Sequence, residues 1–190
     1  GEASGLVPTA KYKRINYNES WTTGDTYNAA IGQGYVLVTP LQLLNALCAV
    51  ANGGTLYRPQ VIRDIVDADG QIVRPFQPQV IRQLDVSPEV LATVREGLRQ
   101  VVASGTASLA RLPGISVAGK TGTAEFGERD EAGKRPTHAW FIAFAPYENP
   151  EIAVLVFVEG GASVIGGEGS GTAAPIAAQI MRYYFGLPTE

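Results

Sequence analysis

The feature that most limits what this chain can become is a succession of three strand-like runs in its second half, at about residues 115–126, 138–145 and 151–159. The last two are separated only by residues 146–150, bounded by Pro146 and Pro150. So short a turn makes them antiparallel neighbours. Helices are expected on either side of this sheet. Thr39, Pro40 and Gln42 form a capping box with proline at the first helical position, which starts a helix that stops at Asn52, Gly53 and Gly54. Its faces are apolar almost all round, which predicts burial on both sides. Ser87 and Pro88 open a second helix whose Val90, Leu91, Val94, Leu98, Val101 and Val102 form one stripe, the pattern of a surface helix. Residues 172–184 read as a terminal helix. Residues 57–75 alternate around Asp69 and Gly70, a hairpin signal. Residues 1–37, rich in Gly, Asn, Thr and Tyr, show little periodicity and read as loops with short turns. The pattern is that of an α+β sandwich. With 190 residues, of which 45% are hydrophobic, one domain with a real core is within reach.

The first of the three runs carries Lys120, Thr121, Gly122 and Thr123. Alternation along a strand puts Thr121 and Thr123 on one face and Lys120 and Gly122 on the other. Two hydroxyls on one face can grip a carboxylate, and the cation beside them strengthens the contact to roughly twice a neutral hydrogen bond. Gly122 marks a close passage of ligand or backbone. If the strand lies at a sheet edge, its free N–H and C=O groups can pair with an extended peptide, and the N–H of Thr123 can point at a developing oxyanion. A Lys-Thr-Gly strand is one of three motifs that build a serine acyl-transfer site, with Ser-x-x-Lys and Ser-x-Asn or Ser-x-Asp. No serine of the chain has Lys three residues later, or Asn or Asp two residues later.

Several other features compete for attention. Gly114 to Thr121 matches the phosphate-loop pattern G-x-x-x-x-G-K-[ST] letter for letter, but the positions between the glycines alternate like a strand, and Gly122 and Gly127 interrupt the residues where a helix would have to run. A nucleotide hydrolase is therefore only a remote alternative. The glycine-rich residues 160–171 lack a following lysine and read as a flexible connection. His138 has no serine or cysteine motif to serve and reads as the end of a strand. Trp140, Phe141, Phe144 and Tyr147 read as cover for the sheet. Glu125 shares the face of Thr123, to orient substrate or to sit in solvent. Ser116 is four residues from Lys120, on the same strand face, but lacks the helical geometry of a nucleophile motif. Cys48, the only cysteine, reads as a small core residue. The charged, glycine-containing residues 127–137 predict mobility. A net charge of -3 with scattered basic residues argues against nucleic acid as a partner.

Taken in order, Gly24-Asp-Thr-Tyr-Asn28, Ile31-Gly-Gln-Gly34, Val38-Thr-Pro-Leu-Gln42, Ala51-Asn-Gly-Gly54, Ala118-Gly-Lys-Thr-Gly-Thr-Ala-Glu125, Ala139-Trp-Phe141 and Phe144-Ala-Pro146 resemble one family. The chain is similar to the C-terminal part of the transpeptidase domain of class B penicillin-binding proteins, of the penicillin-binding protein 2 group. The resemblance implies a partial penicillin-binding or serine β-lactamase-like fold, α+β, with its antiparallel sheet packed against helices. It implies that residues 1–190 are the C-terminal portion of one transpeptidase domain, the nucleophile-bearing portion lying upstream.

The activity so implied is D,D-transpeptidation of peptidoglycan. An upstream serine attacks the penultimate D-alanine carbonyl of a stem peptide, terminal D-alanine leaves, and the acyl group passes to an amine of a neighbouring stem. Water as acceptor gives carboxypeptidase activity, and β-lactams acylate the same serine. Lys120, Thr121 and Thr123 are the implied grip on the terminal carboxylate, with Gly122 in the same substrate-binding wall. The N–H of Thr123 is half of the implied oxyanion hole, so Lys120 and Thr123 are the catalytic candidates. No metal or organic cofactor is implied. The implied parent is held at the extracytoplasmic face of the bacterial cytoplasmic membrane by a segment outside this chain, alongside membrane proteins of the elongation machinery. By itself the chain is expected to be soluble and inactive. The competing reading is a non-catalytic β-lactam sensor or scaffold module using the same wall.

Overall fold

The computed structural model describes residues 2–160 and 169–189. The N-terminal region departs from the loops expected there, because two short helices occupy it, α1 (Ala10–Tyr17) and α2 (Thr23–Ala30). Both start on side-chain caps. Thr9 accepts from the Tyr12 N–H, and Thr22 and Asp25 form a reciprocal capping box. Neither helix carries a strong apolar stripe, so the caps are the one local signal, and periodicity alone misses them.

Helix α3 (Pro40–Ala51) begins on the expected capping box of Thr39 and Gln42. It is not buried on both sides as its composition suggests. Leu47, Ala49 and Ala51 are buried, whereas Leu41 is 44% exposed. Two small antiparallel pairs come next along the chain. Strand β1 (Thr55–Tyr57) pairs with β4 (Val80–Gln83) and encloses the expected hairpin, β2 (Ile65–Val66) with β3 (Ile72–Arg74). Asp67 and Gly70 close the hairpin turn through the Gly70 N–H to Asp67 carbonyl bond of 3.1 Å. Helix α4 (Pro88–Ala103) is capped by Ser87 and buries only Leu91 and Val102 of its stripe, as a surface helix should.

The three expected strands form one antiparallel sheet in the order β5 (Ala118–Glu125), β6 (Thr137–Ala145), β7 (Ile152–Val158). Between β5 and β6, residues 127–136 close on a turn in which the Asp130 carboxylate accepts from the Lys134 N–H at 2.8 Å. After β7 comes a π-helical turn, Gly169–Ala173, running into α5 (Ala174–Tyr184). Most of the glycine-rich run that reads as a flexible connection lies outside the described residues.

Register decides which side chains meet. Ala118 stands opposite Phe144, Gly119 opposite Ala143 and Thr121 opposite Phe141. One sheet face therefore carries Val117, Ala139, Phe141, Ala143 and Val154, packed with α5 through Ala177, Ala178 and Met181 and with the end of α4 through Val102. The other face carries Ala118 and Phe144, covered by Leu47 and Ala51 of α3 with Leu98 of α4. The aromatic residues expected over the sheet are there, Phe141 and Phe144 fully buried, and Trp140 against Phe157 at 4.4 Å between ring centroids. Cys48 is a free thiol only half-buried, and burial pushes its thiol pKa up.

Arg95 ties these layers together, a role not evident from the sequence pattern. Its guanidinium donates to the Tyr147 carbonyl at 2.5 Å and to the Ala51 carbonyl at the end of α3. It also lies 5.3 Å from the ring centroids of Phe144 and of Tyr147. A cation at a helix C-terminus satisfies carbonyls that have no intrahelical partner.

Two glycines should respond to alanine with opposite signs. A Cβ at Gly119 would lie 2.6 Å from the Ile142 carbonyl oxygen and 2.9 Å from Phe141 Cζ, so Gly119→Ala should destabilise the fold by about 1–3 kcal/mol. Gly97, within α4, has nothing within 4 Å, and Gly97→Ala should stabilise by about 0.5–1 kcal/mol. Denaturant unfolding of the three chains checks both. Equal or inverted signs would mean that the β5–β6 packing is not as described.

Candidate functional site

Strand β5 pairs with β6 alone among the described residues, so it is a sheet edge, as a peptide-pairing strand must be. Lys120, Thr121, Gly122 and Thr123 lie in its middle. The phosphate-loop alternative falls here, since Gly119, Lys120 and Thr121 are extended and the next element is β6 rather than a helix.

The alternation is as read from the sequence. Thr121 and Thr123 stand opposite Phe141 and Ala139 on one face, while Lys120 and Gly122 stand opposite Ile142 and Trp140 on the other. The two hydroxyls are not equivalent. Thr121 is half-buried and its hydroxyl meets that of Thr106, in the loop after α4, at 3.1 Å, whereas Thr123 is exposed. Lys120 is exposed and its ammonium donates to the Thr121 carbonyl at 2.7 Å. The close approach that Gly122 serves is to the protein itself. A Cβ there would lie 3.2 Å from Trp140 Cβ, and a Cβ on Gly169 would come within 2.7 Å of the Gly122 oxygen and 2.9 Å of its nitrogen.

The free edge has one more occupant. The side-chain amide of Gln33 donates to the Thr123 carbonyl at 2.8 Å, across 90 residues of sequence. In an antiparallel strand the N–H and C=O of one residue point to the same side, so this bond places the N–H of Thr123 on the free edge as well. The sequence offers one clue to Gln33. It is flanked by Gly32 and Gly34, both at φ +73, so the turn is built from left-handed backbone that only glycine adopts readily. The Gln33 N–H donates to the Asn28 carbonyl at 2.8 Å, fixing the turn to the end of α2.

Helix α2 is in turn pinned to α1 by charge. The buried Lys13 ammonium donates to the Asp25 carboxylate at 2.8 Å and pairs with Glu19 at 3.2 Å. Lys13, with the hydroxyl and N–H of Thr22, holds the Asp25 carboxyl at about 2, below its ordinary 3.8. Asp25 chiefly raises the Lys13 ammonium. The ammonium also lies 5.9 Å from the ring centroid of Tyr35, just past the turn.

The remaining candidates are not drawn together. Ser116 lies before β5 and its hydroxyl donates to the Glu148 carboxylate at 2.5 Å, which lowers the pKa of Glu148. Glu125 is exposed at the end of β5. His138 lies at the start of β6, stacked on Phe126 at 3.9 Å with rings 3° from parallel, and its Nδ1 is buried without a hydrogen bond among the described residues. That is packing chemistry, on the Lys120 side of the sheet. Among the described residues no cluster of three or more His, Cys, Asp or Glu side chains is placed to hold a metal ion. No helix among them is long and apolar enough to cross a membrane.

A family model described as the penicillin binding protein transpeptidase domain matches residues 1–182. The peptidoglycan D,D-transpeptidase MrdA of Haemophilus influenzae is 34% identical, over 96% of this chain and 29% of its own length. The peptidoglycan D,D-transpeptidase PbpA of Mycolicibacterium smegmatis is 37% identical, over 82% of this chain and 32% of its own. Thus the chain spans about a third of the length of the curated relatives it matches. Among solved structures, Pseudomonas aeruginosa PBP2 in complex with WCK 5153 superposes with a TM-score of 0.76 at 37% identity, covering 97% of this chain and 39% of that one. A complex between PBP2 and MreC from Helicobacter pylori gives 0.71 at 30% identity, covering 98% of this chain and 32% of that one.

The pair beneath the Gln33 turn sets a pH dependence. Asp25 has a depressed folded pKa, so its stabilisation is complete above 3.8 and is lost as pH falls toward 2. Lys13 has a raised one, so its share is intact at and below 10.5 and is lost only at higher pH. In Asp25→Asn the acid limb of thermal stability between those two carboxyl values should flatten, leaving the parts due to Glu96, which Arg99 holds at about 2, and to Glu148 and Glu89, which are also lowered. Melting curves at stepped pH check this. An unchanged acid limb would remove the Lys13–Asp25 pair from the account.

Proposed function

Because the chain belongs to the penicillin-binding protein transpeptidase family, we propose that it forms the substrate-binding wall of a serine D,D-transpeptidase that cross-links peptidoglycan stem peptides. The observation that carries this reading is the free edge of β5, the side not paired with β6, along which Lys120 and the backbone of Thr123 lie on the same strand. A stem peptide adds to that edge as an extended strand. Its terminal carboxylate is held by Lys120 with the hydroxyls of Thr121 and Thr123, that of Thr121 exchanging its contact with Thr106 for the carboxylate, while Gly122, packed against Trp140 and Gly169, is part of the same wall. The N–H of Thr123 donates to the oxyanion that forms when the penultimate D-alanine carbonyl is attacked.

On this reading residues 1–190 are the C-terminal portion of a single transpeptidase domain, whose attacking serine and its lysine are supplied by an upstream portion. Acyl transfer to an amine of a neighbouring stem completes cross-linking, and transfer to water gives carboxypeptidase activity. β-Lactams occupy the same wall and acylate the same serine. The PBP2–MreC complex from Helicobacter pylori supports a partner of the MreC kind for the longer protein, which on this reading works at the extracytoplasmic face of the cytoplasmic membrane.

The test uses the full-length protein that carries this segment. Lys120→Ala should lower the second-order rate of acylation by a penicillin by roughly two to three orders of magnitude with a nearly unchanged melting temperature, since a charge-assisted cleft contact is worth a few kcal/mol. His138→Ala should leave acylation within a few-fold and lower stability instead, because it removes the stack on Phe126. If Lys120→Ala acylates like the parent, or if His138→Ala is the slower variant, the assignment of the wall is wrong. A labelled penicillin should form no covalent adduct with residues 1–190 alone, where no serine has a lysine three residues on. A stoichiometric adduct would place the nucleophile within this segment.

A further inference from the structure

We propose that Gln33 is a positioning residue for the free edge of β5, holding the Thr123 backbone in the orientation that acyl transfer uses. The inference rests on the transpeptidase reading above and adds a residue to its machinery. Gln33 touches no reacting atom. It acts through the Thr123 carbonyl, to which its amide donates at 2.8 Å.

The open side of an edge strand is free to twist and fray, because its outward N–H and C=O groups have no neighbouring strand. Thr123 lies three residues from the end of its strand counting inclusively to Glu125, where fraying is greatest. A single side-chain amide supplies the missing partner at this one carbonyl. It leaves the N–H of Thr123, on the same edge, open toward a ligand. A carbonyl oxygen has two lone pairs, so the bond from Gln33 still leaves one for a substrate N–H.

The turn that presents Gln33 is built to hold it still. Gly32 and Gly34 both lie at φ +73, and the backbone N–H groups of Ile31 and Gln33 both donate to the Asn28 carbonyl, at 3.2 and 2.8 Å. A Cβ on Gly34 would press on Asn28 Cβ at 3.3 Å, in addition to the strain of a left-handed backbone. Asn28 belongs to α2, which the Lys13–Asp25 pair anchors to α1. The amide is thus the end of a rigid chain of contacts, with the Lys13–Asp25 pair at one end and the site edge at the other.

The experiment compares the parent with Gln33→Ala and Gln33→Glu in the full-length protein, by second-order acylation with a penicillin and by thermal melting. Both variants should acylate about 5- to 10-fold more slowly, the effect of one neutral hydrogen bond, with melting temperatures within about 2 °C of the parent. Glutamate has the shape of glutamine but, when ionised, no proton to donate. The rate of Gln33→Glu relative to the parent should therefore recover as the pH falls through the carboxylate range, when its protonated carboxyl can again donate to the Thr123 carbonyl. The ratio for Gln33→Ala should stay flat. Lys120 and Glu125, the charged groups of β5 nearest the bond in sequence, are present in all three proteins and cancel in these ratios. A parent-like or faster Gln33→Ala, a flat ratio for Gln33→Glu, or a loss of rate that merely tracks a loss of stability overturns the proposal. A parent that forms no acyl adduct at all overturns the transpeptidase reading itself, and is recognised before any variant is compared.

Discussion

The register of β5 against β6 is the constraint on which the rest depends. With Gly119 opposite Ala143 and Ala118 opposite Phe144, the two large buried rings of β6 point to opposite faces, Phe141 toward α5 and Phe144 toward α3. A slip of one residue would turn every side chain of β5 to the other face. It would drive Lys120 into the apolar layer under α5 and bring Gly119 out of the only place where Phe141 needs it. Burying an unpaired ammonium costs several kcal/mol, so the register that buries Ala118 is also the one that leaves Lys120 at the surface. Core packing and site geometry are here a single choice.

Around that sheet, polar side chains bonded to backbone carbonyls do the joining that apolar contact does not. Arg95 links the end of α3, α4 and the turn after β6 through two carbonyls and two aromatic rings. Gln33 links the turn after α2 to β5 through one. Arg95 is flanked by rings and half-buried, where charge-assisted bonds are strong, and its role is cohesion. Gln33 lies at an exposed strand edge, where a neutral bond adds little to stability but fixes direction. The two bonds divide the work of holding the fold and aiming the site.

The proposed wall binds and polarises, and supplies no activated nucleophile of its own. A cation, two hydroxyls and an outward strand edge can bind and polarise an acyl group, but a protonated ammonium and an unactivated hydroxyl are poor nucleophiles. Such a wall also explains an apparent excess of polar groups on a sheet edge. In place of a bulge or proline, β5 carries an exposed lysine, which guards a sheet edge against pairing with another chain.

What the sequence determined by itself was whatever local chemistry specifies. The three strands, the Asp69–Gly70 hairpin and helices α3, α4 and α5 were legible because periodicity, caps and turn residues act over a few positions. The facing of Thr121 and Thr123 came from the pleat alone. Helices α1 and α2 were missed because their caps stand without an apolar stripe, and their anchoring comes from Lys13 reaching Asp25 twelve residues on. The exposure of Leu41 on α3 was not legible either, since an apolar face says nothing about whether a layer covers it. Tertiary structure alone decided that β5 is an edge, that Thr121 is engaged by Thr106 while Thr123 is exposed, and that Gln33 meets Thr123 across 90 residues. Those are contacts between segments whose spacing in sequence carries no trace of their spacing in space, so only the closed chain specifies them.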